Sequence, residues 1–465
     1  MVFKKTNDVI TFIKKKNVEE IDLKYVDLEG RLHHLTLPAN KVNKKSFEEG
    51  EGIDASSLQG FASVESADAV IIPDIRTGFL DVVKRSKTIS FICDVCDCEK
   101  RKSIPSCPRG LAKRAEKYLR KTGIADDFIA SPEFEFHIFD RVSFNIKGDR
   151  SLFKVISSEA PLDEDNACSW IREGGGYHIE EPFDKLHSIR CKITEGLEDA
   201  GIPVKYHHHE GGGPSQVEIE VLFKPLLGTA DDIVKAKYLI RKISEQSGKI
   251  AIFLPKPLNI MSGNGMHIHL YLEKSKKSIF YDKEGLEDLS KTALYFIGGI
   301  IKHGRAITGF ACASTNSFRR LIPGYKAPVL FSYSAANRSA AIRIPLYVSE
   351  PTQKRIEFRI SDATSNPYLL LSSLLLAGID GIKNKIDPGR PSNINLYEKK
   401  IAGLTPIPDS FEEALSNLDV DREFLKQGDV FNDRVIDEWL RIKREDIKRV
   451  RKTVHPIEYE LFSDI

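Results

Sequence analysis

The residue types that can do chemistry gather in short alternating segments. Glu133-Phe134-Glu135-Phe136-His137 follows Ser131-Pro132, and Gln216-Val217-Glu218-Ile219-Glu220-Val221 follows His207-His208-His209-Glu210. Later come Gly265-Met266-His267-Ile268-His269-Leu270, Ala341-Ile342-Arg343-Ile344 and Arg355-Ile356-Glu357-Phe358-Arg359-Ile360. In an extended chain residues i and i+2 share a face. Glu133 and Glu135, His267 and His269, and Glu357 and Arg359 therefore project together, while their apolar neighbours turn toward a core. Any one such strand reads as half-exposed with a solvated face. Solvated faces mix Lys, Thr and Ser, however, whereas this set concentrates carboxylates, imidazoles and guanidiniums. Carboxylates with one or two imidazoles suit hard divalent ions such as Mg²⁺ or Mn²⁺ better than zinc. Two such ions can bridge nucleotide phosphates and neutralise the charge of phosphoryl transfer. Arg320, Arg338, Arg343, Arg355 and Arg359 offer planar forks for phosphate and carboxylate oxygens. An acidic metal floor facing an arginine-rich wall is a site for a polyanion plus a small acid.

Strands and helices must hold these groups in place. A chain of 465 residues exceeds what one hydrophobic core usually supports, so two domains are expected. Residues 21–37 alternate around Glu29-Gly30 as a hairpin, residues 70–73 and 89–93 read as strands, and residues 48–61 as a loop. These make a small strand-rich N-terminal domain that ends near residue 100, before Pro105 and Pro108. Helical spacing follows over 110–121, 231–248 and 286–303, and residues 368–382 read as a buried helix too short to span a bilayer. The basic stretch 441–452 is a solvated helix face, with Ile442, Ile447 and Val450 at helical spacing.

Composition narrows the partners. Hydrophobic residues at 41% are ordinary for a folded soluble protein, and a net charge of +2 gives no bulk attraction to nucleic acid or an anionic membrane. No apolar segment follows the first lysines, and seven cysteines without a framework fit a reducing, cytoplasmic setting. Cys93, Cys96 and Cys98 have a metal-like spacing, but no second pair follows at zinc-finger distance, so a structural role is expected.

The ordered segments PEFEF, HHHE, QVEIE, PKP, GNGMHIH, NSFRRLIPGY, YSAANRSAAIRIP and RIEFR resemble the type I glutamine synthetases, in order from about Lys24 to about Tyr459. The resemblance implies an α+β protein, with a β-grasp domain over 1–104 and a catalytic domain over 105–465 whose antiparallel sheet lines the active site. It implies two or three Mg²⁺ or Mn²⁺ ions per site, with ATP, a glutamate-like acid and ammonia or another amine as substrates. One ion would be held by Glu135, Glu210 and Glu218, and a second by Glu133, His267 and Glu357. Gly263, Arg320 and Arg359, with His267 close by, would meet the acid. Arg338, Arg343 and Arg355 would meet phosphates, and His269 would lie beside the nucleotide. Asp54, in IDASS, matches the acid that a neighbouring subunit lends for ammonium. The family assembles as two hexameric rings, and VHPIEYELF resembles the segment that reaches the opposite ring.

Departures fall at the substrates. Lys326, in GYKAP, stands where the family carries a flap glutamate with a catalytic role, and Ser262 stands for an asparagine. Lys205 and Tyr271 replace a glutamate and a serine near the nucleotide, and Ala336 replaces an arginine. Tyr397 sits where some relatives carry a regulatory tyrosine, but the following segment is shortened, so nucleotidylation is not expected. Three readings stay open: glutamine formation in spite of Lys326, a γ-glutamyl ligase for another amine, and a catalytically weak structural or regulatory relative. A guanidino-kinase-like reading is discounted on the order of the motifs.

Overall fold

A computed structural model describes residues 3–62, 64–160, 171–172, 174–259, 261–398 and 403–463. The chain opens with helix α1 (Thr6–Lys15), then β1 (Glu20–Val26), β2 (Leu32–Pro38), α2 (Lys44–Glu48), β3 (Glu51–Asp54), β4 (Asp68–Pro73), β5 (Phe79–Leu80) and β6 (Thr88–Cys96). These strands form one sheet in the order β2-β1-β6-β4-β3, with β5 beside β6. The expected hairpin is β1–β2, turned at Gly30, whose φ of +88° suits glycine. Residues 48–61 are more ordered than a loop: β3 pairs with β4, which satisfies backbone groups that the Gly- and Ser-rich composition leaves unannounced. Cys93 and Cys96 are buried in β6, and Cys98 is exposed beyond it. Among the described residues none of the three belongs to a metal-sized group of ligands.

The second part begins with α3 (Pro108–Thr122), followed by β7 (Asp127–Phe139), the hairpin β8 (Arg141–Lys147) and β9 (Arg150–Ile156), α4 (His187–Asp199), β10 (Val204–His209), β11 (Gln216–Val221), β12 (Lys224–Pro225) and α5 (Leu226–Gln246). Then come β13 (Ile250–Ile252), β14 (Met266–Lys274), β15 (Lys277–Ser278), α6 (Lys291–Ala311), α7 (Ser317–Arg320), β16 (Tyr333–Ala335), β17 (Ile342–Ile344) and β18 (Ile356–Phe358). Helices α8 (Pro367–Asn384), α9 (Phe411–Val420), α10 (Asp433–Arg451) and α11 (Pro456–Phe462) complete the chain. The large sheet runs β10-β11-β7-β14-β18-β17-β16. Its apolar side, including Phe134, Phe136, Val217, Ile219, Ile268 and Leu270, is buried against the helices.

Two helices differ from the sequence spacing, one in where it starts and one in which residues it buries. The helix expected from residue 286 starts at Lys291, where Ser290 accepts the Ala293 N–H at 3.1 Å; residues 286–288 form a separate 3₁₀ turn with Glu287 at φ 51°. Capping therefore overrides the apolar periodicity. Val450 is 46% exposed and leaves the buried stripe that Ile442 and Ile447 join. Residues 368–382 lie within α8, buried as expected against α6. A Cβ on Gly299 would stand 2.0 Å from the Ala377 carbonyl oxygen, so this crossing needs glycine. No helix among the described residues is long and apolar enough to cross a membrane.

Polar contacts bind the two parts. Buried Arg109 donates to Asp231 at 3.0 Å, Asp94 at 3.0 Å and Asp74 at 2.9 Å. Asn366 donates to the carbonyls of Asp27 and Leu28 at 3.2 and 3.0 Å.

Candidate active site

Sheet register alone lays the charged groups out in rows. His208 faces Glu218, and Glu218 faces Glu135; Glu220 faces Glu133, and Glu133 faces His267; His269 faces Glu357, and Glu357 faces Arg343. Directly opposed residues on neighbouring strands have Cβ atoms roughly 5 Å apart. The alternation that sends Phe134 and Ile219 into the core thus sends His208, Glu218, Glu135, Glu133, His267, Glu357 and Arg343 into one cavity of about 530 Å³, with Glu220 and His269 fully buried behind its floor.

On its floor the ligand atoms of Glu133, His267 and Glu357 lie within 4.8 Å of one another, as do those of His208, Glu210 and Glu218. His267 Nδ1 stands 3.0 Å from Glu133 and 3.7 Å from Glu357. Glu135 accepts the Gly265 N–H at 2.6 Å, which fixes one carboxylate oxygen and leaves the other 3.8 Å from His267. A further group joins Glu133, Glu220 and His269, with His269 Nε2 2.7 Å from Glu133.

The wall is cationic. Arg359 donates to Glu357 at 2.5 Å and to the Lys326 carbonyl at 3.4 Å, and Arg343 donates to the other Glu357 oxygen. Arg320 donates to the Ile360 and Ser361 carbonyls. The Nε atoms of Arg320, Arg343, Arg355 and Arg359 are buried without a partner, so each fork keeps donor capacity. Gly263 lines the cavity because nothing larger fits: a Cβ would meet the Pro255 oxygen at 2.1 Å and Arg320 Cγ at 2.8 Å.

The electrostatics favour added cations. Burial, then Glu133, Glu135, Glu210 and Glu220, push the Glu218 carboxyl well above the usual range. Burial and Glu135 raise Glu210, which Lys326 partly relieves. Burial opposes the charge of Glu357 too, yet Arg359 leads in holding it at about 2. Carboxylates that repel one another and already lie at ligand spacing are a donor set fitted to hard divalent ions.

The expected residues divide by place. Glu133, Glu135, Glu210, Glu218, Gly263, His267, Arg320, Lys326, Arg338, Arg343, Glu357 and Arg359 line the cavity, as does Ser262. His269 lies behind the floor, fully buried. Arg355 stands aside, its guanidinium 5.0 Å from the Phe223 ring centroid, near Tyr271. Asp54 is not brought to this cavity: it is exposed at the end of β3, where Ser56 and Ser57 hydroxyls donate to it at 2.6 and 2.9 Å. Lys205 bonds both oxygens of Glu220 at 2.9 Å. Ala336 is exposed at φ 57°, and the Tyr397 hydroxyl is buried without a partner. Most of the shortened segment after Tyr397 lies outside the described residues.

His208 and Glu220 belong to the ligand groups, although neither was singled out from the sequence. The signal was present for both. Glu220 is two residues from Glu218, and His208 two from Glu210.

Comparison with known proteins agrees with the geometry. Residues 17–98 match the family model described as glutamine synthetase, beta-Grasp domain, and residues 105–462 that of the glutamine synthetase catalytic domain. The chain is 42% identical to a glutamine synthetase of Azotobacter vinelandii over 465 residues, covering 98% of this chain and 99% of the relative. It is likewise 42% identical to one of Pseudomonas aeruginosa over 463 residues, covering 97% and 98%. A solved Plasmodium falciparum glutamine synthetase superposes with a TM-score of 0.91 at 29% identity, covering 99% of both chains. On these matches, and on an α+β architecture with a β-grasp sheet ahead of the catalytic sheet, the chain belongs to the glutamine synthetase family.

Proposed function

We propose that the chain is an ATP-dependent ligase that joins glutamate to ammonia. A glutamate γ-carboxylate oxygen attacks the terminal phosphorus of ATP, and ADP leaves. The ammonia nitrogen then attacks the γ-carbonyl carbon of γ-glutamyl phosphate, phosphate leaves, and the nitrogen gives up a proton to form glutamine. The observation that carries this reading is the floor of carboxylates at ligand spacing beneath arginines with free donors.

Divalent ions, Mg²⁺ or Mn²⁺, would be held by Glu135, Glu210 and Glu218 with His208 beside them, and by Glu133, His267 and Glu357. Bound there, they would offset the negative charge of the phosphates. Arg320 and Arg359, with Gly263, receive the glutamate carboxylates, and Arg338, Arg343 and Arg355 receive phosphate oxygens. His269 braces Glu133 beside the nucleotide. The chain's contribution is alignment and charge stabilisation at fixed positions.

Asp54 serves the cavity of a neighbouring subunit, which its exposed place on β3 supports. A dodecamer of two hexameric rings would also cover Val454, Ile457, Tyr459 and Leu461 near α11, and Phe144, Ile146, Leu152 and Phe153 on the β8–β9 hairpin, all exposed in the single chain. A domain boundary at 104/105 is supported by matched regions that end at 98 and begin at 105. A cytoplasmic setting suits the described cysteines, all free thiols.

A second reading, ligation of a different amine, is favoured by Lys326: its ammonium points toward Gly211 and bears on Glu210. The test incubates the assembled protein with ATP, Mg²⁺ or Mn²⁺ and glutamate, with ammonium or a panel of amines, following phosphate release and γ-glutamyl product together. Glutamine formed from ammonium supports the first reading. Product from another amine alone supports the second, and no turnover with measurable ATP binding would overturn both.

A further inference from the structure

A second cavity, of about 690 Å³, lies between the N-terminal sheet and the outer side of α5, away from the carboxylate floor. Its walls come from β1, β2 and their turn, from Lys84, from α5 and β13, and from the segment at Ala363 and Thr364. Basic groups predominate there, and most have local partners. Lys24 is bonded to Asp22 and Asp81, Lys84 stands 3.5 Å from Asp22, Arg31 pairs with Glu29, and Lys242 with Glu245.

Lys237 and Arg241 are different. They lie one turn apart on the same face of α5, where like charges repel. Lys237 Nζ donates to the Ala363 carbonyl at 2.5 Å, and Arg241 lies over the Phe253 ring at 5.1 Å; among the described residues neither has an ion-pair partner. Burial, then the Arg241 charge, bring Lys237 down to about 7, with Asp362 the acid that opposes the drop. A compact anion would relieve this repulsion with charge-assisted hydrogen bonds, while Arg31, Lys84 and His34 stand on the facing wall.

We propose that this cavity binds a small anion carrying two or more negative charges, as carboxylates or phosphate, between Lys237–Arg241 of α5 and the β1–β2 hairpin. The site is separate from the reaction, but its walls run into the active site. Leu254, on one wall, accepts from Asn264 Nδ2 at 2.7 Å, and Asn264 follows Gly263. Ala363, on another, lies just beyond Ile360 and Ser361, whose carbonyls hold Arg320. Occupancy would therefore bear on the backbone that positions the glutamate-facing groups. The proposal goes beyond the ligase reading and stands without it, because it concerns binding alone.

The test is calorimetric titration of the assembled full-length protein with succinate and, separately, with inorganic phosphate, with Mg²⁺, ADP and glutamate in excess to occupy the active site. Expected is binding of at least one probe, weakened about tenfold or more in Arg241→Gln and in Lys237→Gln, with ADP affinity unchanged. Succinate binding alone would name a dicarboxylate and phosphate binding alone a phosphate; either supports the site. No binding of either probe, or equal affinity in wild type and Arg241→Gln, would overturn it.

Discussion

Two buried clusters of charge, built from similar residue types, behave in opposite ways. In the knot around Arg109, burial opposes the charge of Asp74, yet Arg76 and Arg109 hold its carboxyl below the usual range. Arg109 is pushed well up, against burial, by Asp231 and Asp94. On the catalytic floor the same burial finds no such counter-charge at Glu218, and neighbouring carboxylates drive that group the other way. The difference lies in the sign of the neighbours, since both clusters are taken out of water. A cluster that neutralises itself holds two parts of a chain together; one that cannot is prepared for cations from outside.

The contrast can be broken at either end. Glu218→Gln should lower phosphate release by about 10³-fold while leaving the unfolding midpoint near that of wild type, because it removes a charge that neighbouring carboxylates repel and keeps the side chain's volume. A matching loss of folded protein would erase the distinction between floor and knot. Arg109→Met should act in the reverse sense, costing about 3–5 kcal/mol of stability by denaturant titration, since it leaves buried carboxylates uncompensated. Mg²⁺ at about 100 times its dissociation constant should stabilise wild type by about 2.7 kcal/mol, and Glu218→Gln should shrink that gain.

The smallest effect is one of pH. Glu218 is raised in the folded state, so between the usual glutamate value and its own the folded chain binds more protons than the unfolded one. Its contribution to metal-free stability therefore falls as pH rises through that window. Asp74 is lowered, so its contribution is present above the usual aspartate value and is lost as pH falls through its own. Denaturation of the metal-free protein across pH should show the first slope flattened in Glu218→Gln. An unchanged slope would remove Glu218 as its source.

What could be read in advance follows from the range of the forces involved. Period-2 alternation is local, so the strands bearing Glu133, Glu218, His267 and Glu357 were visible as text, as was the buried helix later seen as α8. Pairing is not local. That Glu218 faces Glu135 depends on residues 83 positions apart, and the spacing that hints at His208 and Glu220 does not say which strands they meet. β3 escaped notice because Glu51–Asp54 becomes a strand through its pairing with β4, against its own composition. The start of α6 was misplaced because one serine cap outweighed two upstream leucines, Leu286 and Leu289. The cavity beside Lys237 was invisible altogether, because its walls come from segments that share no motif.

The ladder that sets Glu218 against Glu135 and Glu220 against Glu133 also acts as a checksum on folding. A slip of β11 by one residue would turn both glutamates into the core and set Val217 and Ile219 facing water. The error that breaks up the carboxylate floor also spoils the packing. Uptake of divalent ions by a newly made chain would thus report that its strands had found their proper partners.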